Sequence, residues 1–394
     1  MQRNKIMVAS LAFAMYFLTG GACVLVGSSL PQLVQMYDRP LEQVTLLGSA
    51  YAFGRLLTVY GTGRLVERLG PLKVLMGGVV LTGLFLLGIP LMGNFIVGMV
   101  LAVLGGIGMG AQDTVCPSLL SLVFTKHYAS ALSGGQGLFG LGTFVMPTLI
   151  GVLLSGNMPF YWAYFVLAAI AIAMLVAIPF ARTTGLTAGE EGEEHIEPLY
   201  VKSTWAATLS IVLTVAAFSC VSSALGLYIT SFAIDKGISE ANAAFMFTAY
   251  NIGCVIGGFF FAWVLRFIKG QTVLPLNCAA AAVVIAISMV VDQPWFYFLA
   301  LFVAGLFLGA LFSVIVGVAT RIWYRRVSVA SSLVAMASGA ADFLTPMVTG
   351  FIIASVGIGF SFVFAVIMLV VCAGAAFVLR AISSEKPTAA VEAA

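Results

Sequence analysis

At 394 residues, with 61% hydrophobic and only 8% charged side chains and a mean hydropathy of +1.11, the chain cannot coat a soluble globule, which needs about a quarter charged residues. The formal net charge of +3 calls for no nucleic-acid partner, and where the charges fall says more than their sum. All six cysteines (Cys23, Cys116, Cys220, Cys254, Cys278, Cys372) lie inside apolar stretches without paired short spacing, so neither a zinc site nor a disulfide framework is suggested and no cofactor is implied.

Apolar stretches of twenty or more residues recur from Ile6 to Leu379. That is the length an α-helix needs, at about 1.5 Å per residue, to cross about 30 Å of hydrocarbon. Arg3 and Lys5, followed by an apolar run through Gly20-Gly21-Ala22-Cys23, have the outline of a signal peptide, but the run continues to Val34 and reads as a first span. Turn and charge clusters then predict twelve spans: 6–34, 41–62, 72–92, 95–124, 128–154, 159–180, 204–233, 239–265, 271–291, 295–323, 329–354 and 357–380. The longest polar segment, Ala181 to Ser203, carries Glu190, Glu191, Glu193, Glu194 and Glu197, and reads as a solvated linker. The predicted organisation is a six-helix bundle over 1–180, a cytoplasmic linker over 181–203, a second six-helix bundle over 204–381 and a cytoplasmic tail over 382–394. With both termini cytoplasmic, fifteen of the eighteen Lys and Arg fall on the inner side, Arg39 and Lys236 fall outside and Arg55 lies within a span. An inner-membrane, multi-pass protein is expected.

The halves match each other at a constant offset of 199 residues. That register pairs Ala50, Tyr51 and Gly54 with Ala249, Tyr250 and Gly253, pairs Gly106 and Gly110 with Gly305 and Gly309, and pairs Gly140, Pro147 and Gly151 with Gly339, Pro346 and Gly350. One register that makes helix-distorting Gly and Pro coincide over about a hundred residues argues for an internal structural repeat. Duplicated halves rocking about a central site are a common route to alternating access.

After the second span the chain reads Gly63-Arg64-Leu65-Val66-Glu67-Arg68-Leu69-Gly70-Pro71-Leu72-Lys73. This resembles the Gly-x-x-x-Asp/Glu-Arg-x-Gly-x-x-Arg/Lys signature that the major facilitator superfamily carries between its second and third helices. The resemblance implies an all-α membrane fold of twelve transmembrane helices in two six-helix bundles. It also implies a gating role for Gly63, Glu67, Arg68, Gly70 and Lys73, with Glu67 reaching the start of the eleventh helix near Ser328 to Ala330. The second-half counterpart, Gly258 to Gly270, keeps Arg266 and Lys269 but has no acidic residue. In the fourth span, Gly106-Ile107-Gly108-Met109-Gly110-Ala111-Gln112-Asp113-Thr114-Val115-Cys116-Pro117 resembles the fucose permease group of sugar:proton symporters. There a Gly-rich stretch leads into an acidic residue and a proline, which makes Asp113 the expected proton or substrate carboxylate. That group also has an acidic residue in its first helix, and the first span here has none.

Three charged side chains sit well inside the spans, Arg55, Asp113 and Asp342. Counted along their helices, all three lie about 16–18 Å from the cytoplasmic rim, near the midplane, where each needs a partner or a water-filled cavity. In the superfamily resembled, the second and eleventh helices face each other, which implies an Arg55–Asp342 pair that forms in one access state and breaks in the other. Asp113, without an assured basic neighbour, is expected to take a proton. Tyr16, Gln112, Gln136, Tyr51, Tyr250, Asn251 and Ser313 are further polar candidates for a cavity, with helix–helix hydrogen bonding as an equal account.

The expected function is secondary active transport of a small polar, sugar-like solute, coupled to protons, by a monomer in the bilayer. Arg55 alone would suit an organic anion through its planar donors, and the thirty Phe and sixteen Met would suit a drug exporter. A membrane enzyme is disfavoured because His127 and His195 lie in loops and no His/Cys/Asp cluster has ligand spacing. A channel is disfavoured because three scattered charges make no ring.

Overall fold

The computed structural model describes residues 2–58, 61–124, 128–182, 198–291, 293–324 and 327–384. The first half contains α1 (Gln2–Ser28), α2 (Leu30–Tyr37), α3 (Leu41–Val44), α4 (Leu46–Thr58), α5 (Thr62–Leu69), α6 (Pro71–Leu91), α7 (Phe95–Val123), α8 (Tyr128–Ser155) and α9 (Trp162–Ala177). The second contains α10 (Thr204–Asp235), α11 (Glu240–Val264), α12 (Gly270–Val291), α13 (Pro294–Leu308), α14 (Leu311–Ile322), α15 (Val327–Val356) and α16 (Phe360–Ile382). Eleven helices among the described residues are long and apolar enough to cross a membrane, α13 and α14 counting as one. The twelfth predicted span is α4 with α5, which falls short as a single helix because residues 59–60 lie outside the described ones.

Local chemistry explains the breaks. The predicted first span divides at Ser29, whose hydroxyl donates to the Leu25 carbonyl at 2.6 Å, and Pro31 then opens α2 because a ring nitrogen has no amide to give to the preceding turn. Asn94 caps α7 by accepting from the amides of Ile96 and Val97 at 2.9 and 3.3 Å. Gly70 turns α5 into α6 at φ +84°, a conformation that strains any residue with a Cβ, and Pro71 begins the next helix.

The repeat is visible as geometry. Three pairs of helices begin 199 residues apart, at Pro71 and Gly270, Phe95 and Pro294, and Tyr128 and Val327. One departure is local: α7 runs unbroken, whereas its counterpart is interrupted at Gly309 and Ala310 between α13 and α14.

The chain divides into two compact units, Met1–Glu193 with Gly226–Thr248, and Glu194–Leu225 with Ala249–Ala394. In the first, α7 packs on α4 and α6, and α1 packs on α8. Gly226–Thr248 joins this unit through three polar contacts: Thr230 Oγ1 to the Gly27 carbonyl at 2.6 Å, Gln32 Nε2 to Glu240 Oε2 at 2.7 Å, and the Thr148 and Thr248 hydroxyls at 3.2 Å. In the second unit α12 packs on α16 and α13, and the buried thiol of Cys278 meets that of Cys372 at 3.3 Å.

A two-stranded antiparallel pairing, β1 (Tyr200–Val201) with β2 (Ser383–Ser384), was not foreseen from the sequence. Together with Leu199 N to the Arg321 carbonyl at 2.9 Å and Lys202 N to the Ile382 carbonyl at 3.0 Å, it ties the end of the interhelical segment to α14 and α16. The acidic run of that segment, Lys126, His127, His195 and the tail beyond Ser384 lie outside the described residues.

Candidate functional site

The site is built on a seam of glycines. Gly54 of α4 and Gly106 and Gly110 of α7 lie one turn apart on facing surfaces, so the two backbones touch where a side chain would otherwise hold them apart. A Cβ at Gly54 would strike the Val103 carbonyl, one at Gly106 the Tyr51 carbonyl, and one at Gly110 the Thr58 hydroxyl. This close approach brings the peptide of Arg55 against α7, because Gly106 faces its nitrogen and Gly110 its carbonyl oxygen. Asp113, less than one turn beyond Gly110, then reaches the guanidinium: Arg55 Nε donates to Asp113 Oδ2 at 2.8 Å.

The two side chains retain 34% and 39% of their exposure, Arg55 in the last turn of α4 and Asp113 within α7, so the protein does not seal the pair off. The expectation that Asp113 lacks an assured basic neighbour is corrected by this contact. The sequence could not reveal it, because the two residues are 58 apart and only the glycine seam sets their helices at the required distance.

The other candidates distribute as follows. Gln112 is buried, and its Oε1 accepts from the Thr19 hydroxyl at 3.1 Å, which joins α7 to α1. Tyr16 is buried, with its ring laid over Gly135 of α8, while the neighbouring Gln136 is exposed. In the second unit Tyr250 and Asn251 are buried in α11, and Asp342 is half-buried in α15 within electrostatic reach of Cys220. Of the gating candidates, Glu67 and Arg68 are exposed in α5, Gly63 lies in the same helix, and Lys73 is exposed at the start of α6. Of the stretch Ser328 to Ala330 toward which Glu67 is expected to reach, the side chains of Ser328 and Val329 lie outside the described residues and Ala330 is buried. The Gln32–Glu240 contact had no signal in the sequence, being a pair of ordinary loop-edge polar residues 208 apart.

The second half repeats the seam residue for residue and changes its cargo. Gly253 faces the Phe302 carbonyl, Gly305 the Tyr250 carbonyl and Gly309 the Cys254 carbonyl, each 199 positions after the first-half contact. At the places of Arg55 and Asp113 stand Cys254 and Phe312.

Comparison with known proteins agrees with this architecture. The sequence profile described as Major Facilitator Superfamily matches residues 12–291 and 207–393. The MFS-type transporter YfkL of Bacillus subtilis (strain 168) is 25% identical over 375 residues, covering 92% of this chain and 93% of its own. The inner membrane transport protein YdiN of Escherichia coli (strain K12) is 24% identical, covering 90% and 86%. Among solved structures, the transporter FucP in the outward conformation aligns over 98% of this chain and 100% of its own, with a TM-score of 0.64 at 16% identity. A D-xylose-proton symporter aligns over 93% and 96%, with a TM-score of 0.72 at 13% identity.

Proposed function

The chain belongs to the Major Facilitator Superfamily, and from that premise we propose that it is a secondary active transporter that carries a small polar, sugar-like solute in symport with protons. It is a multi-pass membrane protein with the superfamily's two bundles of six helices, and its relatives are transporters rather than enzymes. The proposed location is the inner membrane with both termini cytoplasmic, in keeping with the charge asymmetry and with the bacterial relatives.

The observation that carries the proposal is the Arg55–Asp113 bridge, an ion pair positioned by a glycine seam and still about a third exposed. An intramembrane pair of this kind gains Coulombic energy that desolvation largely offsets, so a modest change of charge or ligation shifts its balance. Protonation of Asp113 discharges the pair and releases the guanidinium to polar groups of the solute. Loss of the proton restores the bridge and expels the solute. Energy from the proton gradient thus enters at Asp113, and Arg55 reports it to the solute. Asp342, with Gln136, Tyr250 and Asn251, is proposed to complete polar recognition, and Glu67 with its motif to stabilise one access state.

The test is uptake by proteoliposomes, with D-xylose as the first probe and further solutes taken from a thermal-shift screen of metabolites. Asp113→Asn should abolish accumulation driven by a pH gradient and preserve counterflow. Undiminished accumulation by D113N would remove the proton role. A second reading, exchange of an organic anion, is favoured by the exposure of the Arg55 guanidinium, a planar donor suited to carboxylates. It predicts counterflow of carboxylates that Arg55→Gln eliminates.

A further inference from the structure

We infer that the Tyr51 hydroxyl is a working part of the Arg55–Asp113 site, the reserve hydrogen-bond donor that receives Asp113 when its carboxyl leaves the guanidinium. This rests on the proposed opening of that bridge and adds a residue to it. Tyr51 stands one turn before Arg55 on α4, within electrostatic reach of Arg55, Asp113 and Cys23. Its hydroxyl is fully buried and makes no hydrogen bond among the described residues. A buried hydroxyl without a partner forfeits the hydration it had in water, and native proteins keep few of them.

The repeat supplies an internal control. Tyr250 occupies the equivalent place in the second half, equally buried, and its hydroxyl bonds to the side chains of Ser222 and Cys254. Those two residues are the counterparts, 199 positions on, of Cys23 and Arg55. The surroundings of the two tyrosines therefore correspond, but only the tyrosine beside the ion pair keeps its hydroxyl in reserve. The ring cannot easily swing away to satisfy itself elsewhere, since it lies against Gly105 and against Phe85 at a ring separation of 5.4 Å. Asp113, once parted from Arg55, loses a charged donor that another hydrogen-bonding group has to replace. The Tyr51 hydroxyl is an uncommitted donor fixed within electrostatic reach.

Two conservative variants separate this role from packing. Tyr51→Phe removes a hydroxyl that makes no bond in the bridged state, so the purified protein should melt at or above the wild-type temperature. Tyr250→Phe removes a bonded hydroxyl and should melt lower. Infrared spectra of the protein in bilayer vesicles then read Asp113 directly, its band assigned by its loss in D113N. In the Arg55→Gln background, where the bridge is gone, adding Y51F should move that band and adding Y250F should leave it in place. An Asp113 band unmoved by Y51F in R55Q, or a Y51F protein that melts as low as Y250F, overturns the inference. The outcome is separable from that of the proton proposal: if D113N removes a carboxylate band but no protonated carboxyl band at any pH, proton carriage fails, and the Tyr51 shift is still read on the carboxylate.

Discussion

Gly106 rests on the Tyr51 carbonyl and Gly305 rests on the Tyr250 carbonyl, and the two seams, α4 with α7 and α11 with α13, are one joint built twice. One carries Arg55 and Asp113 beside its last glycine, Gly110. The other carries Cys254 and a Phe312 that is 40% exposed and pairs with Phe218 at a ring separation of 6.5 Å. The backbone contacts were retained while the side chains beside them diverged, which separates what holds each helix pair together from what gives it chemistry. A second pair of helices shows a different divergence. Where Gly20 of α1 meets the Phe139 carbonyl of α8 directly, the equivalent Ser219 and Ser338 exchange a hydrogen bond at 2.8 Å. There the contact itself was rebuilt, with a hydroxyl pair in place of backbone approach.

If the seams are equivalent, Gly106→Val and Gly305→Val should be equally harmful. Each forces a branched side chain into a carbonyl of the facing helix, a misfit of about 1–3 kcal/mol or more, and size-exclusion chromatography of both proteins should show loss of the monodisperse peak. Survival of one and collapse of the other would break the comparison.

Exchanging the chemistry should leave the joint intact. Arg55→Cys with Asp113→Phe, which gives the first seam the side chains of the second, should fold and yet lose at least about tenfold in transport, equal to about 1.4 kcal/mol. Single removal of Arg55 should harm stability more than the double exchange does, because it leaves Asp113 in the membrane without its partner; melting temperatures of the purified variants decide this. The reverse exchange, Cys254→Arg with Phe312→Asp, sharpens the comparison further. If the geometry is truly repeated, the new side chains should form a bridge, detectable as a double variant that melts above either single one.

The smallest effect should come from the contacts that join Gly226–Thr248 to the first unit. Thr148→Val removes one hydroxyl of a half-buried pair and should cost about 0.5–1.5 kcal/mol, seen as a small fall in melting temperature.

The helices were legible in the sequence because membrane burial leaves no freedom of composition. Apolar length follows from a backbone that must satisfy itself in lipid, and Gly70 with Pro71 marks a turn through its own backbone preferences. The 199-residue register was legible for a related reason, since the seam positions admit only glycine. The pairing of Arg55 was not. That Asp113 meets Arg55 depends on which helix the glycines bring close, and spacing along the chain does not carry that information. Gln112 illustrates the same limit. It is the sequence neighbour of Asp113, but only the structure shows that its amide oxygen accepts from Thr19 of α1. The break between α13 and α14 has no counterpart in α7 although Gly110 and Gly309 correspond, so that glycine permits the interruption without dictating it.

The seam also constrains how such a chain can change over generations. Any single-base change in a glycine codon that alters the residue adds at least a Cβ, and at Gly54, Gly106, Gly253 and Gly305 that atom has a backbone carbonyl in its way. These positions are closed to stepwise mutation in a manner that ordinary core residues, which trade one apolar shape for another, are not. The positions beside them carry no such restriction, as Asp113 and Phe312 show at equivalent places. A lineage built on this joint can therefore replace its cargo chemistry one half at a time, while the frame that positions it stays fixed.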